Sequence, residues 1–305
     1  MGIKFIHAIH ILLLGFLLIF PWKAIGAPDR FMEEGNARIV FPSNLEAMAE
    51  EVEQVVPQIK EELQRVFGWE LHGKPTIVLL QESRQFQKMV KSPLTIAFAQ
   101  PERNLLVVDC SRTTNHPLQL RNVVKHELCH LYIHQYVENR QVPRWLDEGI
   151  AQWASDGISD IVHDRNRSFL NKAAFTGNLL PLASLSRDFP LRDSDFILAY
   201  EESKDFVVYI VNRYGKKKML RILDTIKAGE DSDDAVYSSL NVPLEVIEKD
   251  WRSSLVSKTT WFVHLSFYLY EFLFAFGAMI AIYAFIRVIM KKRKYLRTVD
   301  ENDPP

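Results

Sequence analysis

The chain has 305 residues, 48% apolar and 25% charged, which excludes a disordered or fibrous protein and leaves room for a sizeable folded core. Lysine plus arginine is 37 against 38 for aspartate plus glutamate, so the basic excess of a general nucleic-acid binder is missing. Two cysteines, Cys110 and Cys129, are too few for a disulfide scaffold or a cysteine-rich metal knuckle.

The chain opens with Lys4 and an apolar run from Phe5 to Phe20, shorter than the ~20 residues a membrane span requires. Pro21 and the small residues Ala24 and Gly26 follow. A charged start, an apolar middle and a small-residue cleavage pattern predict a secretory signal peptide over residues 1–26. Residues 27–260 then form one domain without repeats or low-complexity stretches. Ala37 to Phe41 predicts a short strand. Ser43-Asn44-Leu45-Glu46 is a capping-box pattern that opens a helix to about Phe67, with Val52, Val56, Ile59 and Leu63 on its apolar face and Pro57 as a kink. Thr76 to Leu80 predicts a buried strand, and residues 82–90 a short helix. Ile96 to Ala99 and Leu105 to Val108 flank Pro101-Glu102-Arg103-Asn104 and predict a hairpin. Pro117 starts a long helix to about Val137. Pro143 opens another through Trp145, Ile150 and Trp153. A further amphipathic helix covers about Phe196 to Tyr214, with Gly215 as its stop. Strands first and helices afterwards give an α+β class.

The second apolar stretch spans residues 261–290. Phe272 to Ile286 carries no charge, Trp261, Tyr268 and Tyr270 suit an outer interface, and Glu271 lies near the outer edge. Arg287, Lys291, Lys292, Arg293, Lys294 and Arg297 follow. Such a cluster stays cytoplasmic by the positive-inside bias, so the expected protein is single-pass, with residues 27–260 outside the cytoplasm and 291–305 a short basic tail inside. The sparse cysteines and this layout suit a bacterial envelope protein. Asn166-Arg167-Ser168 is the one glycosylation sequon noted.

The chemistry centres on His126-Glu127-Leu128-Cys129-His130, an H-E-x-x-H pattern inside the long helix. Four residues turn a helix by about 400°, so both imidazoles project from one face and can chelate one zinc ion. Glu127 is rotated about 100° away, beside the metal without ligating it, where it can take a proton from metal-bound water. His134 shares that face, but eight residues place it about 12 Å from His126 along the axis, too far for the same ion. A third ligand from another element is required. Asp147 and Glu148 are the nearest carboxylates on a predicted helix, and helical divergence lets only one of them face the metal. Cys129 reads as a small buried hydrophobe, and a Cys110–Cys129 disulfide is compatible with export.

His126-Glu127-x-x-His130 followed by Trp145-Leu146-Asp147-Glu148-Gly149-Ile150-Ala151 resembles the zinc signature of gluzincin metallopeptidases. The resemblance covers about residues 75–215. The later Ala199-Tyr200-Glu201-Glu202-Ser203 is similar to the small peptidase-MA-like branch. The resemblance implies a zincin-like domain, one Zn2+ ion, a polypeptide substrate, and Glu148 as the third ligand through the W-L-x-E-G-x-A segment. Seventeen residues separate His130 from Glu148, within the family's range. Family members stabilise the oxyanion with a Tyr or His outside the zinc motifs. Tyr200 is the candidate here, with His116 and His163 as alternatives. The G-x-M-E-N segment of the M1 aminopeptidases is absent, so aminopeptidase specificity is not implied. The expected function is a membrane-anchored zinc endopeptidase, in which Leu94 to Ala99 presents an edge strand to an extended peptide. The alternatives are a non-catalytic binding ectodomain retaining the fold, against which an intact Glu127 weighs, and a zinc hydrolase acting on a non-peptide bond.

Overall fold

A computed structural model of the chain describes residues 29–33, 35–112, 117–138, 140–155, 157 and 169–300. The expected signal peptide, His116, His163 and the Asn166 sequon lie outside the described residues. The described chain starts with β1 (Asp29–Met32) and β2 (Arg38–Pro42), followed by α1 (Glu46–Phe67), β3 (Thr76–Leu80), α2 (Ser83–Gln87), β4 (Ala97–Gln100) and β5 (Leu105–Asp109). Helices follow: α3 (Pro117–Tyr136), α4 (Arg144–Ala154), α5 (Phe169–Thr176), α6 (Asp193–Tyr214), α7 (Lys216–Lys227), α8 (Ser232–Leu240) and α9 (Leu244–Asp300). The expected α+β class is observed.

The five strands form one mixed sheet in the order β1-β2-β3-β5-β4. β2, β3 and β5 run parallel, while β1 and β4 pair antiparallel at the two ends. The apolar runs Ile77–Leu80 and Leu105–Val108 suit interior strands covered on both faces. Phe86 of α2 packs with Leu80 and Val107 in one such layer. The β4–β5 hairpin turns through a 3-10 segment, Pro101–Arg103, and Asn104 in the left-handed region at φ 50°. The Asn104 carbonyl accepts from Thr76 N and its side chain donates to Lys74 O, tying the turn to the start of β3.

α1 buries Ala49, Val52, Val56, Ile59, Leu63 and Phe67, spaced three and four apart as one helical face. It runs through Pro57 and stops at Gly68, whose φ of 87° no β-carbon opposes. The capping box does not form. Ser43–Leu45 makes a 3-10 turn without a side-chain cap, and the buried Leu45 precedes α1 instead. α3 packs against α1, β4, β5 and α4, so the helix carrying His126 and His130 is held between the sheet and the other helices.

By its internal contacts the chain divides into two compact units. The larger contains the sheet, α1 to α4 and α6 to α8. The smaller joins Asn171–Leu179 to the chain from Glu248 onward. Within the smaller unit, Arg252 pairs with Glu248 and donates to the Leu179 carbonyl. Leu269–Arg293 of α9 is long and apolar enough to cross a membrane, and it is exposed along its length.

A close helix approach lies beside Glu148. A β-carbon on Gly149 of α4 would overlap the Ser203 carbonyl oxygen of α6 and stand 2.6 Å from Val207 Cγ2. Trp145 and Phe206 lock the same contact edge to face, with ring centroids 5.2 Å apart. Because the obstruction at Gly149 is backbone, it cannot rotate away. Gly149→Ala should therefore destabilise the domain by about 1–3 kcal/mol. Gly157→Ala, where a β-carbon meets no atom of the described residues, should change stability by less than about 0.5 kcal/mol. Denaturation of both variants beside the parent checks this, and equal stability would mean that α4 and α6 separate freely.

Candidate active site

α3 presents His126 and His130 one turn apart, and α4 brings Glu148 to them. His126 is fully buried, and His130 and Glu148 are nearly so. His126 Nε2 stands 3.2 Å from His130 Nε2. Glu148 Oε2 lies 3.5 Å from the first and 3.6 Å from the second. The donor atoms of a tetrahedral site with bonds near 2.0–2.1 Å are separated by about 3.3 Å. The three atoms therefore match the edges of such a site. Glu148 Oε2 is buried without a hydrogen-bond partner. Two nitrogen lone pairs and an oxygen in this proximity repel one another unless a cation or proton lies among them. The donor set, two imidazoles and one carboxylate, fits zinc.

The remote atoms of the three residues are also held. His130 Nδ1 meets Asp147 Oδ1 at 3.0 Å. His126 Nδ1 lies 3.5 Å from Ser155 Oγ, which itself donates to the Gly157 carbonyl. Glu148 Oε1 accepts from the Tyr200 hydroxyl at 3.2 Å, and Arg144 Nη2 is 3.5 Å away. These contacts leave both Nε2 atoms and Oε2 for a metal. Arg144 is fixed in turn, its guanidinium 4.6 Å above the Phe189 ring.

Charge follows this geometry. Burial opposes ionisation of Asp147, but His130 and His134 outweigh it and hold the carboxyl well below the usual range. Burial likewise disfavours a charged His130, yet Asp147 and Glu148 push its pKa up to about 9. Burial raises Glu148, but the nearby His126 ring and the charges of His130 and Arg144 bring it down overall. Asp147 and Glu148 thus remain anionic, each held so by the imidazoles and guanidinium beside it.

The singled-out residues that lie among the described ones have the following places. His126, His130 and Glu148 converge, and Glu127, 1% exposed, follows His126 on the same helix. Tyr200 is buried between Phe189 and Phe196 with its hydroxyl on Glu148. His134 turns to Asp147 rather than to the three converging atoms. Cys110 and Cys129 are both buried thiols with no disulfide between them, unlike the pairing compatible with export. Burial drives the Cys129 thiol pKa well up, consistent with a small hydrophobe rather than a ligand. β4 is the terminal strand of the sheet, so the Leu94–Ala99 region ends at an edge rather than in the interior. The sequence reading missed Arg144 and Ser155. Arg144 was open to detection because it precedes Glu148 by one helical turn. Ser155 had no signal, since its link to His126 exists only after α4 docks on α3.

A family model described as the Peptidase MA superfamily matches residues 61–257, and the chain belongs to that superfamily. Its fold is that of this peptidase superfamily, in line with the family resemblance. No curated protein sequence matches the chain significantly. Among solved structures, aminopeptidase A from Legionella pneumophila in complex with aspartic acid is similar at a TM-score of 0.43 and 14% identity, over 73% of this chain and 27% of that one. A mutant M1 zinc metallopeptidase from Deinococcus radiodurans is similar at a TM-score of 0.40 and 16% identity, over 75% of this chain and 50% of the other. The chain thus spans about a quarter and a half of the lengths of these two proteins.

The convergence predicts which residues hold a metal. His126→Ala, His130→Ala and Glu148→Ala should each lose zinc, while Asp147→Ala should retain near one equivalent when zinc is in excess. Elemental analysis of the purified variants checks this. Loss of zinc from Asp147→Ala with retention in Glu148→Ala would place the third ligand one position earlier.

Proposed function

We propose that the chain is a membrane-anchored zinc metalloendopeptidase. The observation that supports this most strongly is the convergence of His126 Nε2, His130 Nε2 and Glu148 Oε2, with Glu127 following His126 in the chain and buried. When bound, zinc would supply a Lewis acid that acidifies the attacking water. His126, His130 and Glu148 would hold the ion. Glu127 takes the proton of the attacking water and returns it to the leaving amine. Tyr200 donates to the oxyanion as negative charge develops on the scissile carbonyl. Its phenol has one proton, so it must release Glu148 Oε1 to do so, and Arg144 Nη2 at 3.5 Å remains beside that oxygen. An extended polypeptide aligns along β4, the edge strand, through backbone hydrogen bonds that require no free terminus. This openness favours internal cleavage.

The membrane part of the proposal rests on Leu269–Arg293 and the basic residues that end it. Residues 1–26 are a signal peptide, 27–260 an extracytoplasmic domain, 261–290 the span region and 291–305 a cytoplasmic tail. A reporter fused after Pro305 should be active only in its cytoplasmic form. Activity of an export-dependent reporter at that position would reverse the topology.

Glu127→Gln should leave zinc content intact and reduce peptide cleavage by about 10²–10⁴-fold, because the amide cannot accept the proton. Equal cleavage by the two forms, with zinc verified in both, would falsify the mechanism. Tyr200→Phe should retain zinc and lose about 10²–10³-fold in turnover. A loss confined to zinc affinity would reduce Tyr200 to a support for Glu148.

A further inference from the structure

We propose that His134 is a positioning residue for the metal site, acting through Asp147 on His130. The inference rests on the zinc reading above and concerns what fixes one of the ligands. His134 lies one turn after His130 on the same face of α3. Its Nε2 stands 2.9 Å from Asp147 Oδ2, while His130 Nδ1 stands 3.0 Å from Asp147 Oδ1. Two imidazoles from one helix thus grip the two oxygens of one carboxylate on the next. The assembly is mostly enclosed, with side-chain exposures of 11% for His130, 16% for Asp147 and 23% for His134.

The second grip has a physical consequence. The terminal torsion of an aspartate is broad, so one hydrogen bond leaves the carboxylate plane free to swing. Fixing Oδ2 through His134 removes that freedom and aims Oδ1 at His130 Nδ1. The proton of His130 is then kept on Nδ1, and the Nε2 lone pair is left toward His126 Nε2 and Glu148 Oε2. His134 thus sets ring orientation and tautomer two links away from the metal, from a position that helical rise forbids as a ligand.

The test uses the full-length chain in detergent, with zinc affinity measured by chelator competition and the visible spectrum recorded after cobalt substitution. His134→Ala should weaken zinc binding about tenfold, the low end for an outer-shell change, and shift the cobalt bands. His134→Gln, whose amide N–H can take the place of Nε2–H, should recover the parent spectrum and come within about threefold of parent affinity. In an Asp147→Ala background, adding His134→Ala should cost less than about twofold, because the link is already cut. Unchanged affinity and spectrum in His134→Ala would overturn the inference. So would an equal loss with and without Asp147, which would mark a general packing effect. A chain that binds neither zinc nor cobalt would overturn the metal reading itself and this inference with it.

Discussion

Two imidazole nitrogens and a carboxylate oxygen stand within 3.6 Å of one another in the interior of the domain, and such a cluster does not persist without restraint. Its lone pairs repel, and Glu148 Oε2 is buried without a hydrogen bond. The restraint comes from both sides. α3 is fixed against α1 and the sheet, and α4 is pressed onto α6 where Gly149 admits the Ser203 carbonyl. The glycine beside Glu148 therefore has a steric reason: a side chain there would push the carboxylate's own helix away from its partner. Asp147, Ser155, Tyr200 and Arg144 then address the remote atoms of the three donors, so that each turns its remaining atom inward.

Much of this was legible in the sequence. The spacing of His126 and His130 fixes their common face by helix geometry alone, and the apolar periodicity of α1 and the β-branched runs of β3 and β5 located those elements within a residue or two. The choice of Glu148 over Asp147 was not available from spacing, because adjacent carboxylates differ only in rotation. The docking of α4 separates the two carboxylates. Oε2 of Glu148 faces both Nε2 atoms, and Asp147 takes the outer nitrogens of His130 and His134.

Other features had no local signature. β1 reads as Asp-Arg-Phe-Met, with Phe31 exposed, and is a strand because β2 offers an open edge. α7 and α8 were not anticipated, although Met219, Ile222, Leu223 and Ile226 form a buried face of α7 and Asp231 caps α8 through the backbone N–H groups of Asp233 and Asp234. The capping box at Ser43 fails for a related reason. The chain leaving β2 turns by a 3-10 segment that buries Leu45, and local hydrogen-bonding preference yields to that packing. Short-range patterns thus located elements that carry their own periodicity, and failed where a neighbour supplies the constraint.

The central proposal is that the two imidazoles and one carboxylate would hold a zinc ion. Zinc-edge X-ray absorption of the purified full-length chain tests it most directly. The account predicts nitrogen and oxygen neighbours only, at about 2.0–2.1 Å, with the multiple-scattering signature of two imidazole rings. A sulfur neighbour at about 2.3 Å would contradict it and bring Cys129, the residue next to His130, into the coordination sphere.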